Sequence, residues 1–135
     1  MIEPQNANEE VILRFVNAIA TGDLDTLKEI IDPAATWSFH GTLPIAGFYE
    51  GIDAIINDYL GQGLVLYKPG SLTVELTNML SAGDSVAIEW HALGESMSGN
   101  QYDNEYGLFF KLASGKITSV RIYCDTLHVK DVLYA

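Results

Sequence analysis

The stretch from Gly99 to Val129, GNQYDNEYGLFFKLASGKITSVRIYCDTLHV, constrains this chain more than any other. Two runs rich in Tyr, Phe, Ile and Val flank Ala113-Ser114-Gly115, which is a hairpin signature. Polar side chains recur at every second position. Tyr102, Asn104 and Tyr106 share one parity, and Arg121, Tyr123 and Asp125 share another. In a strand, residues i, i+2 and i+4 face one side of the sheet, so this spacing aims hydrogen-bonding and ionisable groups into one volume. A purely structural hairpin needs fewer of them.

Which groups share a face depends on the turn, and two registers are open. A two-residue Ser114-Gly115 turn pairs Ala113 with Lys116, setting Tyr106 opposite Tyr123 and Asn104 opposite Asp125. A three-residue Ala-Ser-Gly loop pairs Leu112 with Lys116, setting Tyr106 opposite Ile122 and Asn104 opposite Cys124. A type I′ turn prefers Asn or Asp where Ser114 stands, whereas Gly115 suits the left-handed position of the longer loop, which favours the second register. That register gathers Tyr102, Tyr106, Leu108, Phe110, Val120, Ile122 and Cys124 on a mostly apolar face. The opposite face then holds Asp103, Glu105, Arg121, Tyr123 and Asp125. Asp103 opposes Asp125 there, a like-charge pair that calls for a bulge near Cys124 and Asp125 or for one carboxyl keeping its proton.

Upstream, Leu72–Ser81 and Ser85–Ser96 alternate around Gly83-Asp84, where glycine at the first central position suits a type II′ turn. Pairing Ala82 with Ser85 sets Thr77 opposite Trp90 and Met79 opposite Ile88. The first half reads as helices. Asn6 and Glu9 resemble a capping box, followed by Val11, Ile12, Phe15 and Ile19 at helical spacing, and Thr21-Gly22 ends the helix. Asp23 caps a second helix, carrying Leu24, Leu27, Ile30 and Ile31, which Pro33 stops. Ala35–His40 reads as a short strand, Gly41–Gly51 as a loop, and Ile52–Leu60 as a third helix ended by Gly61-Gln62-Gly63. Helices followed by a strand meander predict an α+β fold, in which a long twisted sheet curls around the helices and leaves an apolar-walled pocket at one end.

A chain of 135 residues suits one domain over 1–135. Eighteen acids against seven bases give a net charge of −11, which repels phosphate backbones and anionic lipid, so nucleic acid and membrane surfaces are poor partners. The single cysteine, Cys124, excludes an internal disulfide framework and a cysteine zinc cluster. Met1–Glu10 is too polar for a signal peptide, and apolar runs fall far short of the roughly 20 residues of a membrane span, so the expected location is cytoplasmic. His40, His91 and His128 show no metal-ligand spacing, and neither metal nor cofactor is expected.

The helix-Gly-Asp-Leu-Asp-helix at Gly22–Ile31, then Asp32-Pro33-Ala34-Ala35-Thr36-Trp37, Phe48-Tyr49-Glu50-Gly51-Ile52-Asp53-Ala54-Ile55 and the last hairpin, resemble the SnoaL-like, ketosteroid-isomerase-like branch of the nuclear-transport-factor-2-like superfamily. The resemblance implies a cone-shaped curved mixed sheet wrapped around three helices with a deep pocket. It also implies a homodimer built through the outer sheet face and cofactor-independent chemistry on small, largely apolar molecules. The last-strand aspartate of the epoxide-hydrolase and cyclase relatives aligns with Asp125, implying an acid or base whose pKa an apolar site would raise. The chain departs from its relatives elsewhere. Phe15 stands where ketosteroid isomerases carry a first-helix tyrosine, and their basic aspartate falls near Phe39. Trp90-His91-Ala92 replaces the Arg-x-Asp of epoxide hydrolases.

The expected site follows. Asp125 is the acid or base and His40 a second proton-transfer or hydrogen-bonding group. Tyr102, Asn104 and Tyr106 orient the substrate, and Phe15, Trp37 and Trp90 shape the wall. Arg121 binds a substrate carboxylate or pairs with Glu105 or Asp103. Cys124 is a small buried side chain, not a nucleophile. The reaction would be an isomerisation, dehydration, cyclisation or hydrolysis by proton transfer. The alternative is a non-catalytic module that binds a small molecule or a protein.

Overall fold

The structure, a computed structural model, describes residues 2–135. Helix α1 (Ala7–Thr21) starts at Asn6, whose side-chain oxygen accepts from the Glu9 N–H at 2.9 Å. This satisfies one of the backbone donors left open at a helix start. The Glu9 carboxylate takes the Gln5 N–H at 3.1 Å and the Ser81 hydroxyl, which ties the helix to the sheet. Gly22, at φ 67, ends α1 in the left-handed conformation. Asp23 caps α2 (Leu24–Ile30) through the Thr26 N–H.

Strand β1 (Ile31–Phe39) begins at the next residue, four positions earlier than the sequence suggests, so Pro33 does not stop the helix. Proline is tolerated because the pairing of β1 with the last strand is interrupted between Ile31 and Thr36, where no ladder N–H is needed. The expected loop Gly41–Gly51 contains β2 (Gly47–Glu50), antiparallel to β1. The third helix is composite: α3 (Ile52–Ala54), a π-helical turn over Ile55–Leu60, α4 (Gly61–Gly63) and a 3-10 turn over Leu64–Leu66. The chain therefore stays helical through Gly61-Gln62-Gly63. Those glycines permit close approach, since a Cβ would meet the Ile56 carbonyl at 3.2 Å at Gly61 and the Ile45 side chain at 3.0 Å at Gly63.

Strands β3 (Thr73–Ala82), β4 (Ser85–Glu95), β5 (Gln101–Ala113) and β6 (Lys116–Cys124) form the meander, and α5 (Thr126–Leu133) follows. The curved, unclosed sheet has the order β2-β1-β6-β5-β4-β3, antiparallel except for the β1–β6 pair. Met79 faces Ile88 as expected, but a bulge at Thr77 puts Leu76 opposite Trp90. Because one residue of slip swaps faces, the bulge turns Val74 and Leu76 to the buried side and keeps Thr73 and Glu75 outside.

The last hairpin corrects the favoured register. Its loop has two residues, Ser114 at φ 52 and Gly115 at φ 78, and Ala113 pairs with Lys116. A bulge at Thr118 then shifts the ladder, so Tyr106 faces Cys124, Leu108 faces Ile122 and Phe110 faces Val120. Neither expected pairing of Tyr106 is realised, yet the inner face carries the apolar set that the second register proposed. The strand stops at Cys124, so Asp103 and Asp125 never meet. Under the sheet, Phe15 packs at 5.8 Å from Trp37, 6.2 Å from Trp90 and 5.0 Å from Phe110, measured between ring centroids. Among the described residues no helix is long and apolar enough to cross a membrane.

Candidate functional site

A cavity of about 90 Å³, partly open to solvent, lies between the inner sheet face, the composite helix and α5. The sheet supplies Trp37 and Phe39 from β1, Trp90 and Ala92 from β4, Tyr106 from β5 and Ile122 from β6. The helical side supplies Tyr59 from the π-turn, Leu64, Tyr67, and Val129 and Leu133 from α5. No lining side chain carries a charge.

The polar atoms on this wall belong to phenols and indoles. Burial raises the pKa of Tyr59, Tyr67 and Tyr106 above the ordinary tyrosine value, and does the same to Tyr102 behind them. A phenol in low dielectric keeps its proton, so these groups hydrogen-bond as neutral hydroxyls and do not act as bases. The indole N–H groups of Trp37 and Trp90 are enclosed and have no protein acceptor. Trp37 packs against Tyr59 at 5.0 Å between rings. Behind the wall, Asn104 Nδ2 donates to the Tyr102 hydroxyl at 2.9 Å and to the Asp125 backbone carbonyl at 3.1 Å. The Tyr102 and Tyr106 hydroxyls are hydrogen-bonded to each other. Burial, and next the Asp125 charge, pushes the Cys124 thiol up to about 12, which leaves it an unreactive thiol.

The structure brings together only part of the expected set. Trp37, Trp90 and Tyr106 stand on the cavity wall; Phe15, Tyr102 and Asn104 form the layer behind it and hold the wall groups in place. Asp125 is elsewhere. Its exposed carboxylate accepts the His128 N–H at 3.2 Å and caps α5. The reason is local: β6 ends one residue earlier, and the first turn of the following helix needs an acceptor. A hydrated capping carboxylate is not the desolvated acid that proton transfer in an apolar pocket requires. His40 also lies outside the cavity, stacked on Tyr123 at 4.3 Å, with Nε2 3.4 Å from Arg121 Nη2. Arg121 is exposed on the outer face and donates to the Tyr123 hydroxyl at 3.0 Å from Nη2; it meets neither the cavity nor Glu105 or Asp103. Asp103 pairs instead with His91.

Tyr59, Tyr67, Val129 and Leu133 are wall residues that sequence reasoning did not find. The π-turn gives Tyr59 an angular position no 3.6-residue pattern encodes. Tyr67 follows the 3-10 turn as a single bridge residue, and Val129 and Leu133 sit on a helix whose start resembles a strand end. Among the described residues no cluster of His, Cys, Asp and Glu is placed to hold a metal ion.

Comparison with known proteins follows the same lines. A family model of the SnoaL-like domain matches residues 12–120. An uncharacterised protein of Mycobacterium tuberculosis is 28% identical over 121 residues, covering 89% of this chain and 91% of that one. The structure of TerC co-crystallised with polyporic acid superposes with a TM-score of 0.85 at 17% identity, over 96% of this chain and 100% of TerC. An NTF2-like protein of unknown function from Burkholderia pseudomallei superposes with a TM-score of 0.87 at 12% identity, over 97% and 100%. At such identities the two structures establish a shared fold.

Proposed function

The chain belongs to the SnoaL-like domain family, and from that premise we propose that its cavity binds a compact, largely apolar molecule bearing an oxygen acceptor. One observation carries the proposal: the cavity wall is apolar and uncharged, and the only polar side chains among its lining residues are tyrosines and tryptophans. Ligand sites are commonly apolar with a few fixed polar groups that orient the ligand. A hollow of about 90 Å³ is smaller than the roughly 150 Å³ that accommodates benzene, so a ring-sized ligand would extend into the open mouth. TerC, a fold relative, was co-crystallised with a small molecule, polyporic acid.

The binding reading is preferred to acid–base catalysis. Abstraction of a proton needs a base within reach of the substrate, and no carboxylate or imidazole lines the cavity. Proton transfer by Asp125 or His40 is therefore not part of the proposal.

A second copy of the chain is proposed to cover the outer sheet face. Ladder partners there form one row, Phe48–Ser38–Arg121–Phe109–Ala87–Leu80. Phe48, Phe109 and Leu80 in that row are 66%, 55% and 64% exposed, three large apolar side chains open on one face of a single chain. Sedimentation should give a dimer that Phe109→Glu converts to a monomer; a monomeric parent would reject this assembly.

Binding is tested by thermal denaturation with cyclohexanone and its hydrocarbon isostere methylenecyclohexane, since a ligand of the native state raises the melting temperature. Leu64→Trp, at the half-buried rim, should plug the cavity and remove the shift while the protein stays folded. A parent whose melting temperature neither probe moves would refute the proposal.

A further inference from the structure

Resting on that reading of the cavity, we propose that His128 is a pH-sensitive latch: its neutral imidazole holds α5 down over the cavity, and its protonation lets the helix lift and open the site. The sheet side of the cavity is knit by ladder hydrogen bonds. Helix α5 brings Val129 and Leu133 to the same cavity without belonging to the sheet. Among the described residues two side-chain hydrogen bonds tie its start to β5. Asn104 Nδ2 donates to the Asp125 carbonyl at 3.1 Å, and the Asp103 N–H donates to His128 Nε2 at 3.1 Å.

The second bond fixes the state of the ring. The ladder between β5 and β6 ends at Tyr106 and Cys124, so β5 runs on to Gln101 with no β6 residue opposite. The His128 imidazole takes the place of the missing strand partner, and it stacks on the Tyr102 ring at 5.2 Å between centroids. A backbone N–H can only donate, so Nε2 must present its lone pair and the ring hydrogen sits on Nδ1. Of the two ties only this one titrates. Amide and carbonyl keep their roles at any pH, while imidazole changes charge between about pH 5 and 8.

Protonation places a hydrogen on Nε2 and sets donor against donor, so the bond is lost. The charged groups around the ring act in the same direction. On β5 the Asp103 carboxylate flanks the contact, with His91 of β4 bonded to it. On α5 the Asp125 carboxylate accepts the His128 N–H, and Asp131 lies one turn on, beside Lys130. The acids attract an imidazolium, whereas the Asp103 N–H and the positive end of the α5 dipole oppose one held in place. A charged ring therefore gains by turning from the amide toward the acids. The latch contributes fully while the ring is neutral and is lost as pH falls through the imidazole range. The ligand enters with the helix lifted, and at neutral pH the latch re-forms over it.

The test follows amide hydrogen exchange of α5, corrected for the intrinsic rate, in the parent and in His128→Gln, whose side-chain oxygen can accept the same N–H at any pH. The comparison runs from about pH 7.5 to about pH 5, across the imidazole range. Over that interval the protection of the parent's α5 amides, relative to those of α1, should fall about two- to tenfold, the range of one net hydrogen bond. In His128→Gln it should stay level. Acrylamide quenching of the two tryptophans, both on the cavity wall, reads access to the cavity and should rise with acid in the parent alone. Nitrogen-15 shifts of the His128 ring need no variant and should show Nδ1 protonated and Nε2 bare in the neutral form. A neutral ring with its hydrogen on Nε2, parental protection that ignores pH, or an equal fall in His128→Gln would each overturn the latch. Loosened α5 amides without a rise in quenching would overturn its hold on the cavity. These readouts use no ligand, so a latch that passes while neither cyclohexanone nor methylenecyclohexane shifts the melting temperature refutes the cavity reading alone.

Discussion

Replacing Asp125 separates a capping role from a chemical one. In the structure the carboxylate accepts the His128 N–H at 3.2 Å at the start of α5, a helix of eight residues that brings Val129 and Leu133 to the cavity. Asp125→Ala deletes the acceptor and should cost about 1 kcal/mol, within the roughly 0.5–2 kcal/mol of lost N-caps. Unfolding entropy of about 2.1 cal/mol/K per residue gives about 0.3 kcal/mol per degree for this 135-residue chain, so the melting temperature should drop by about 3–4 °C. Asparagine caps as well as aspartate, and an exposed charge at a helix start adds only a few tenths of a kcal/mol. Asp125→Asn should therefore lie within about 1 °C of the parent. Thermal unfolding followed by circular dichroism measures both variants, with cyclohexanone titrations alongside; the ketone affinity should not change in either. The reasoning fails if Asp125→Asn loses ligand affinity at parental stability, the mark of a group that touches the ligand. It fails equally if Asp125→Ala melts with the parent.

Other perturbations report on other parts of the fold. Phe15→Ala empties the space between Trp37, Trp90 and Phe110 and should cost about 3–5 kcal/mol; denaturant titration should show it, and a loss below about 1 kcal/mol would mean Phe15 does not support the wall. Ser114 holds φ 52 in a turn that suits asparagine, so Ser114→Asn should add about 0.5–1 kcal/mol, seen as a rise of about 2–4 °C in melting temperature. The Asp103 carboxylate, bonded to His91 Nε2, raises the His91 pKa above its ordinary 6.5. A raised pKa means the ion pair contributes fully below the unfolded value and is lost as pH rises through the folded one. Histidine NMR titration should place the His91 midpoint above 6.5, and Asp103→Asn should lower it.

What could be read from the sequence was what neighbouring residues decide. Asn6, Asp23 and Gly22 act within one turn of chain, and the helix ends these three set lie where their chemistry places them. The aromatic wall was legible from parity and helical spacing, because Phe15 falls on the apolar stripe of its helix and Trp37 and Trp90 lie in strands of alternating burial. The bulges at Thr77 and Thr118 were not legible: each spends one residue to keep apolar side chains on the inner face, a demand set by the whole sheet. The place of Asp125 was not legible for a related reason. Thr126-Leu127-His128-Val129 suits a strand locally, and only the packing of Val129 and Leu133 beneath the sheet makes it a helix, which converts a strand-end acid into a cap. Tyr59 depends on a π-turn, for which the residues give no periodic signal.

The most direct measurement uses the fact that the chain has two tryptophans, so an indole 15N–1H spectrum has two side-chain signals. Both tryptophan side chains line the cavity, with their N–H groups enclosed. Saturating cyclohexanone should move both signals, because both rings line the cavity, and leave the His40 and His128 ring signals in place. Unmoved indole signals under conditions where the ketone binds, or shifts confined to the outer face around Arg121 and Tyr123, would contradict a ligand site beneath the sheet.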